Sequence, residues 1–406
     1  MLLLNIKKAL IEGKFFRKVS SKIFAKPDKY LGTIIRNIVF KFSKIQKNKI
    51  FFFTFQGDYT CNPKYITEEL LKQNVDCEIV WGVRLAQLKK AFQLSNRMKL
   101  VDRYTYDFYK ELATSKIWVI NSVEIFKNPL YKKNGQIIIE TWHGSLGIKR
   151  FDKSVNKGKS WVKAAEVCGR EADYCISNSN FESNVYKETF WPNTKILKYG
   201  HPRNDILFNK DISFSRMIKE RLNIEHECKL LLYGPTFRDA HNFDCYNIDF
   251  DSLLNALEMK FNGKWKILLR FHPTVRKFAN ANVNNGNLIN VTNYPDIQEL
   301  MMISDVAITD YSSWIYDFVL SKKPGFIYAS DIELYDDERG FYYPLERTPF
   351  PIATNNEELI KNILNFDNNK YLTKVEEFLK EKGCVEDGKA AYRVVEKIKE
   401  ILGDGE

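Results

Sequence analysis

The sequence predicts an α/β protein built on two parallel sheets, and three observations carry that prediction. From about residue 50, short apolar runs alternate with polar, helix-like stretches. The alternation resets once, after a polar stretch at 205–226, and a second series begins. Residues of unusual chemistry fall just behind the runs in both series. Near-continuous apolar strands separated by helices belong to a parallel sheet covered on both faces. In such sheets ligands sit outside the carboxyl ends of the strands.

The first series is KIFFFTF (49–55), CEIVWGV (77–83), IWVINS (117–122), QIIIETW (136–142), ADYCISNS (172–179) and TKILKYG (194–200). The second is KLLLYGP (229–235), WKILLRFHP (265–273), LINVTN (288–293), DVAITDYSS (305–313) and PGFIYAS (324–330). The stretch 356–402 has a helical pattern and turns polar at its end. These features divide the chain into an arm at 1–48, a first domain at 49–204, a second at 205–385 and a C-terminal helix at 386–406.

Charge is placed unevenly. Residues 1–50 carry 13 Lys and Arg against 2 Asp and Glu, and the remainder carries 49 of each sign. The net charge of +11 therefore belongs to the arm. Its basic residues interrupt apolar segments such as MLLLNIKKALI and GTIIRNIVFKFSKI, and no stretch approaches the ~18 apolar residues of a membrane span. A basic amphipathic segment suits an anionic membrane surface. The neutral body offers no extended basic groove for nucleic acid, which is excluded as a partner.

The seven cysteines, Cys61, Cys77, Cys168, Cys175, Cys228, Cys245 and Cys384, form no CxxC pair and read as reduced thiols. Walker and GxGxxG motifs are absent. Asp249-Phe250-Asp251 opens a helix-like stretch, where capping is the expected role, and Asp336-Asp337-Glu338 reads as a solvated turn. No metal is expected.

Three of the five histidines, His143, His201 and His272, lie directly behind predicted strands. Histidine titrates near neutrality and can take and return a proton. The segment DVAITDYSSWIYDFVL is the phosphate-site candidate. Asp310 or Ser312 is placed to cap a following helix, whose N-terminus suits an anion, and Ser312 and Ser313 add hydroxyl donors. The bland alternative is an ordinary cap without a ligand. Arg238 and Arg270 behind neighbouring strands supply cations. His201 is expected to orient the connector, with Arg203 and Asp205 pairing locally. Trp142 and Gly144 shape the turn that exposes His143, and Tyr311 and Trp314 read as core packing.

In order along the chain, TWHG, GHPRND, YGPTFRD, RFHP, TDYSS and KKPGFIYASDIELYDDERGFYYPL resemble the CDP-glycerol:poly(glycerophosphate) glycerophosphotransferase family of teichoic-acid and capsule synthesis. The resemblance runs from about Phe51 to about Leu379. It implies a GT-B fold, with two Rossmann-like doubly wound domains facing a cleft, and attachment through the basic arm to the cytoplasmic membrane face. It implies transfer of a polyol phosphate from CDP-glycerol or CDP-ribitol to a hydroxyl of a lipid-linked or polymeric acceptor, with release of CMP and no metal. His143 would be the general base, with Trp142 and Gly144 beside it on the acceptor side. His272 would face the donor diphosphate. Pro235, Thr236, Arg238, Thr309, Asp310, Ser312 and Ser313 would hold the donor. Two rivals stand beside this expectation: a glycosyltransferase of the same fold using a nucleotide sugar, and a non-catalytic membrane-bound subunit of a polymer-assembly complex.

Overall fold

The structure, a computed structural model, describes residues 30–85, 95–127, 131–147, 149–151, 158–209, 211–236, 247–271, 286–332 and 340–403. Two parallel sheets organise it. The first contains β1 (Gln46–Phe53), β2 (Glu78–Val83), β3 (Met98–Asp102), β4 (Ser115–Ile120), β5 (Ile137–Glu140), β6 (Tyr174–Ser177) and β7 (Lys195–Lys198) in the order β3-β2-β1-β4-β5-β6-β7. The second contains β8 (Lys229–Tyr233), β9 (Trp265–Leu269), β10 (Leu288–Asn290), β11 (Val306–Thr309), β12 (Gly325–Tyr328) and β13 (Ile352–Ala353) in the order β10-β9-β8-β11-β12-β13. Both orders run outward one way and then reverse, which is doubly wound topology. The reversal lies between β1 and β4 in the first sheet and between β8 and β11 in the second.

Side chains alternate across a strand, so a sheet covered on both faces needs apolar residues at every position. β1 shows this directly. Phe51 and Phe53 join Trp118 and Phe108 in one core, while Ile50 and Phe52 join Trp81 and Ile117 in another. In the second sheet, Leu230, Leu231, Leu232, Ile267, Ile308 and Phe326 belong to a single large core.

Eleven of these strands coincide with the predicted runs. The other two were not anticipated. β3, MKLVD, has a single buried residue, and β13 has two residues in all. Both sit at sheet edges, where little apolar patterning is required.

The arm boundary is corrected. Helix α1 (Tyr30–Phe42) buries Arg36, Val39 and Phe40, and it packs on α3 (Tyr106–Thr114) against the first sheet. Strand β1 already begins at Gln46. Residues 30–48 are thus part of the folded body, and residues 1–29 lie outside the described residues. The stretch read as helical at 356–402 forms α10 (Asn356–Leu364), α11 (Asn368–Lys382) and α12 (Ala390–Gly403). The last of these does not continue the second half. Val394, Val395, Ile398 and Ile401 pack with Ile50, Ile66 and Ile139 on the first sheet. No helix among the described residues is long and apolar enough to cross a membrane.

Candidate active site

Strand β5 ends at Glu140, and Thr141 extends its pairing by donating its N–H to Ile120 O at 2.7 Å. The chain then turns sharply at Trp142, whose φ is +48°. That conformation is unfavourable for a bulky residue and must be held by its surroundings. Three groups hold it. Trp142 N–H donates to Glu140 Oε1 at 2.7 Å, and Asn62 Nδ2 donates to Thr141 O at 2.9 Å and Trp142 O at 3.2 Å. The Trp142 ring is buried against Phe151 and Trp191. A Cβ on Gly144 would lie 3.0 Å from the same indole, which explains a glycine there.

The turn leaves His143 exposed at the carboxyl end of the sheet. Its Nδ1 lies 2.6 Å from Asn121 O, behind β4. A carbonyl oxygen only accepts, so Nδ1 carries the proton and Nε2 is the basic nitrogen of the neutral ring. Asn121 Oδ1 accepts from Phe55 N at 2.8 Å, and the Phe55 ring stacks on His143 at 5.9 Å. Phe55, behind β1, is 46% exposed. Residues behind β1, β4 and β5 thus converge on one imidazole at the point where strand order reverses.

The second sheet repeats the arrangement. Behind β8, Thr236 donates its N–H and hydroxyl to Asp310 Oδ1, at 2.9 and 2.6 Å. Asp310 follows β11 and also accepts from Tyr311 N at 2.5 Å. Both carboxylate oxygens therefore organise the two turns that flank the reversal, since Oδ2 lies 3.0 Å from Thr236 N.

Several expectations for this turn are corrected. The helix after Ser313 is only α9 (Ile315–Phe318), with Trp314 at its N-cap and no side-chain cap. Neither Asp310 nor Ser312 caps it, and a single turn offers no substantial anion site. Thr309 is fully buried and donates its hydroxyl inward to Gly234 O at 2.6 Å. Pro235 is buried as well, whereas Ser312 and Ser313 are half-buried. Trp314 donates to the same Gly234 carbonyl at 2.9 Å, and it belongs to the core with Tyr311. Arg270 donates to Tyr294 O at 2.6 Å, so its guanidinium braces a loop; burial lowers its pKa to about 10. His272 and Arg238 lie outside the described residues, as do Asp336, Asp337 and Glu338. Asp249 caps α7 (Phe250–Phe261) through Ser252 N at 3.1 Å, as its position suggested.

The connector differs from expectation too. It is a 3-10 helix, Pro202–Phe208. Arg203 and Asp205 do not pair. Arg203 Nε donates to Asp317 Oδ2 in α9 at 2.9 Å, its Nη2 donates to Gly144 O, and both ionic partners are buried. Asp205 accepts from Ala390 N and Ala391 N at 2.9 and 2.7 Å, capping α12. His201 is fully buried. Its Nε2 lies 2.9 Å from Glu182 Oε2, and its Nδ1 lies 3.3 Å from Asn62 Nδ2, an amide that can only donate. Nε2 therefore carries the proton toward Glu182. Its ring is thus tied to Glu182 and Asn62, and Arg203 and Asp205 each have partners elsewhere.

The turn bearing His143 also meets the turn bearing the serines. A Cβ on Gly147 would come within 3.0 Å of Ser313 Cβ. Lys149 Nζ donates to Thr236 Oγ1 at 3.2 Å, and the Lys149 backbone bridges to Phe341. Sequence reasoning passed over Lys149, Asn62, Phe55 and Asn121. Their roles depend on partners distant in the chain. Among the described residues no group of three His, Cys, Asp or Glu is placed to hold a metal ion.

Residues 35–400 match the model of a family described as CDP-Glycerol:Poly(glycerophosphate) glycerophosphotransferase. A teichoic acid glycerol-phosphate transferase of Staphylococcus aureus is 31% identical over 372 residues, covering 87% of this chain and 93% of that protein. A teichoic acid poly(glycerol phosphate) polymerase of Bacillus subtilis is 29% identical over 409 residues. The match covers 96% of this chain but 54% of the polymerase, so the chain spans about half of that relative's length. A solved structure of a variant of the wall teichoic acid polymerase TagF, soaked with CDPG, superposes with a TM-score of 0.79 at 28% identity, over 96% of this chain and 97% of that one.

Proposed function

Because the chain belongs to the CDP-glycerol:poly(glycerophosphate) glycerophosphotransferase family, we propose that it is a transferase moving glycerol phosphate from CDP-glycerol to a hydroxyl of a teichoic-acid-type acceptor, releasing CMP. CDP-ribitol is the alternative donor. One observation carries the assignment of the chemistry. His143 stands at a strand end with Nδ1 committed to a carbonyl, which leaves Nε2 to act as a base, and its loop abuts the serine turn of the second sheet.

In this reading the two sheets form a GT-B pair of domains, divided near the Pro202–Phe208 connector, with the acceptor on the first and the donor on the second. The acceptor hydroxyl approaches His143 and loses its proton to Nε2 as its oxygen attacks the transferred phosphorus. The bond from phosphorus to the CMP oxygen breaks, and the departing phosphate takes the electron pair. Such a reaction depends mainly on positioning and charge stabilisation. Ser312 and Ser313 supply hydroxyl donors at the donor turn, while Thr309 and Asp310 act behind them by fixing Gly234 and Thr236. His272 and Arg238 complete the donor side. Protein cations and donors carry the charge, so the reaction needs no metal and is expected to persist in EDTA. The basic residues of the arm before Tyr30 hold the enzyme peripherally on the anionic cytoplasmic face of the membrane.

The test is CMP release from CDP-glycerol and, separately, CDP-ribitol with a lipid-linked or synthetic polyol-phosphate acceptor. His143→Ala should lower turnover by ~10²–10⁴-fold, the usual value of general-base action, and leave donor affinity nearly intact. Normal turnover in the variant would remove the base assignment. No release from either donor would return the function to a nucleotide-sugar transferase or a binding subunit.

A further inference from the structure

Helix α2 (Cys61–Lys72) follows β1, and its first turn faces two ways. The chain enters it through Cys61 at a φ of +60°, a conformation that a residue with a Cβ keeps only when its neighbours hold it. On one side, the fully buried Asn62 holds the His143 turn by the carbonyls of Thr141 and Trp142, while its Oδ1 accepts from Arg203 N at 3.1 Å. On the other side, the helix reaches the second half. Lys64 Nζ donates to Asp296 Oδ2 at 2.5 Å and to Glu299 Oε1 at 2.8 Å, and Tyr65 donates its hydroxyl to the same Asp296 oxygen at 2.9 Å. Asp296 caps α8 (Ile297–Ile303) through Gln298 N, and the other oxygen of Glu299 accepts from the Tyr294 hydroxyl at 2.5 Å. Arg270, behind β9, braces the same loop through Tyr294 O. A continuous series of bonds therefore runs from the His143 turn to the carboxyl end of the second sheet.

Lys64, Asp296 and Glu299 are all buried. Taking three charges out of water is costly, so such a cluster adds little stability over apolar packing. What it adds is position. An ammonium between two carboxylates satisfies both only within hydrogen-bond reach, whereas apolar contact is non-directional. We propose that Lys64 is a positioning residue for the transfer. By clasping Asp296 and Glu299 from the helical turn that carries Asn62, it sets how far His143 stands from the donor turn of the second half. This rests on the transferase reading above and adds a residue to it.

The experiment compares the full wild-type chain with Lys64→Met and with the triple variant Lys64→Met, Asp296→Asn, Glu299→Gln. CMP release from CDP-glycerol or CDP-ribitol with a polyol-phosphate acceptor gives kcat and the donor KM, CDP titration calorimetry gives donor affinity, and denaturant unfolding gives stability. Misplacing a reacting group by about 1 Å costs on the order of 10²-fold in rate. Lys64→Met should lower kcat by about that factor with donor KM and CDP affinity nearly unchanged, and should lower the denaturant midpoint by stranding two carboxylates. The triple variant removes those charges and should recover the midpoint without recovering kcat. Were the cluster merely structural, kcat would return with the midpoint, and that result would overturn the inference, as would a wild-type kcat in Lys64→Met. A wild-type chain that released no CMP from either donor would end the transferase reading and this inference with it, whereas an active chain indifferent to Lys64 would sink this inference alone.

Discussion

Glu140 sits directly beneath the turn it supports, fully buried, with Trp142 N–H and the Cys168 thiol donating to its two oxygens. Desolvation raises its pKa from 4.5 to about 8. Between those values the folded chain keeps a proton that the unfolded chain has released. The resulting stability is full below the unfolded value and is lost as pH rises toward the folded one, by about 1.4 kcal/mol per pH unit. Burial lifts Glu386 and Glu68 as well, each to about 7. The interval between about 7 and 8 is therefore where Glu140 dominates. Denaturant unfolding across that interval should show wild-type stability falling with pH, and Glu140→Gln should flatten the curve. An equal slope in the variant would assign the proton elsewhere. The place of His143 at a strand end was legible in the sequence because so few histidines exist and this one follows an apolar run. The supports at Asn62, Asn121 and Glu140 were not, since a polar residue in a strand or helix gives no sign of which distant carbonyl it will meet.

At the scale of elements, the strands most deeply buried were the most readable. β1, β4, β8 and β11 are apolar on both faces, so their composition alone declares them. The opposite case is α9. The sequence after Ser313 reads as a helix, yet it forms four α-helical residues followed by the 3-10 turn Val319–Ser321. Tyr316 and Phe318 are taken into the second core and Asp317 into the ion pair with Arg203, so tertiary contacts override helix length. Close packing between elements yields a sharper expectation in α4 (Lys159–Glu171). A Cβ at Gly169 would stand 1.7 Å from the Phe190 carbonyl oxygen, which follows α5 (Asn180–Glu188). Backbone cannot yield as a flexible side chain does. Gly169→Ala should destabilise the fold by about 1–3 kcal/mol, read as a lower denaturant midpoint with unchanged slope. An unaltered midpoint would mean that α4 and α5 separate more readily than their packing suggests.

For the whole molecule, the joining of the two halves rests on groups that composition does not reveal. Arg203 and Asp317 are buried together, and the same guanidinium holds the Gly144 carbonyl of the His143 turn. Removing one member of such a pair leaves an uncompensated charge in the interior. Asp317→Ala should therefore cost about 3–5 kcal/mol, while Arg203→Met combined with Asp317→Leu should cost less than Asp317→Ala despite removing more. Equal losses would show that the pair acts independently of its burial. The mutual placement of the halves was the least legible property of the sequence, because the contacts across it join residues far apart in the chain, as Arg203 and Asp317 are.

Helix α12 returns to the first sheet after α11 has finished packing on the second. The polypeptide consequently passes between the halves twice, once along Pro202–Phe208 and once between Lys382 and Ala390. Asp205 ties the two passages together by capping α12. A body joined to another by one thread is free to swing and spin, whereas two neighbouring threads act as a door hinge. Two neighbouring crossings oppose twist between the halves more than one would, and so help to keep His143 and the serine turn in register.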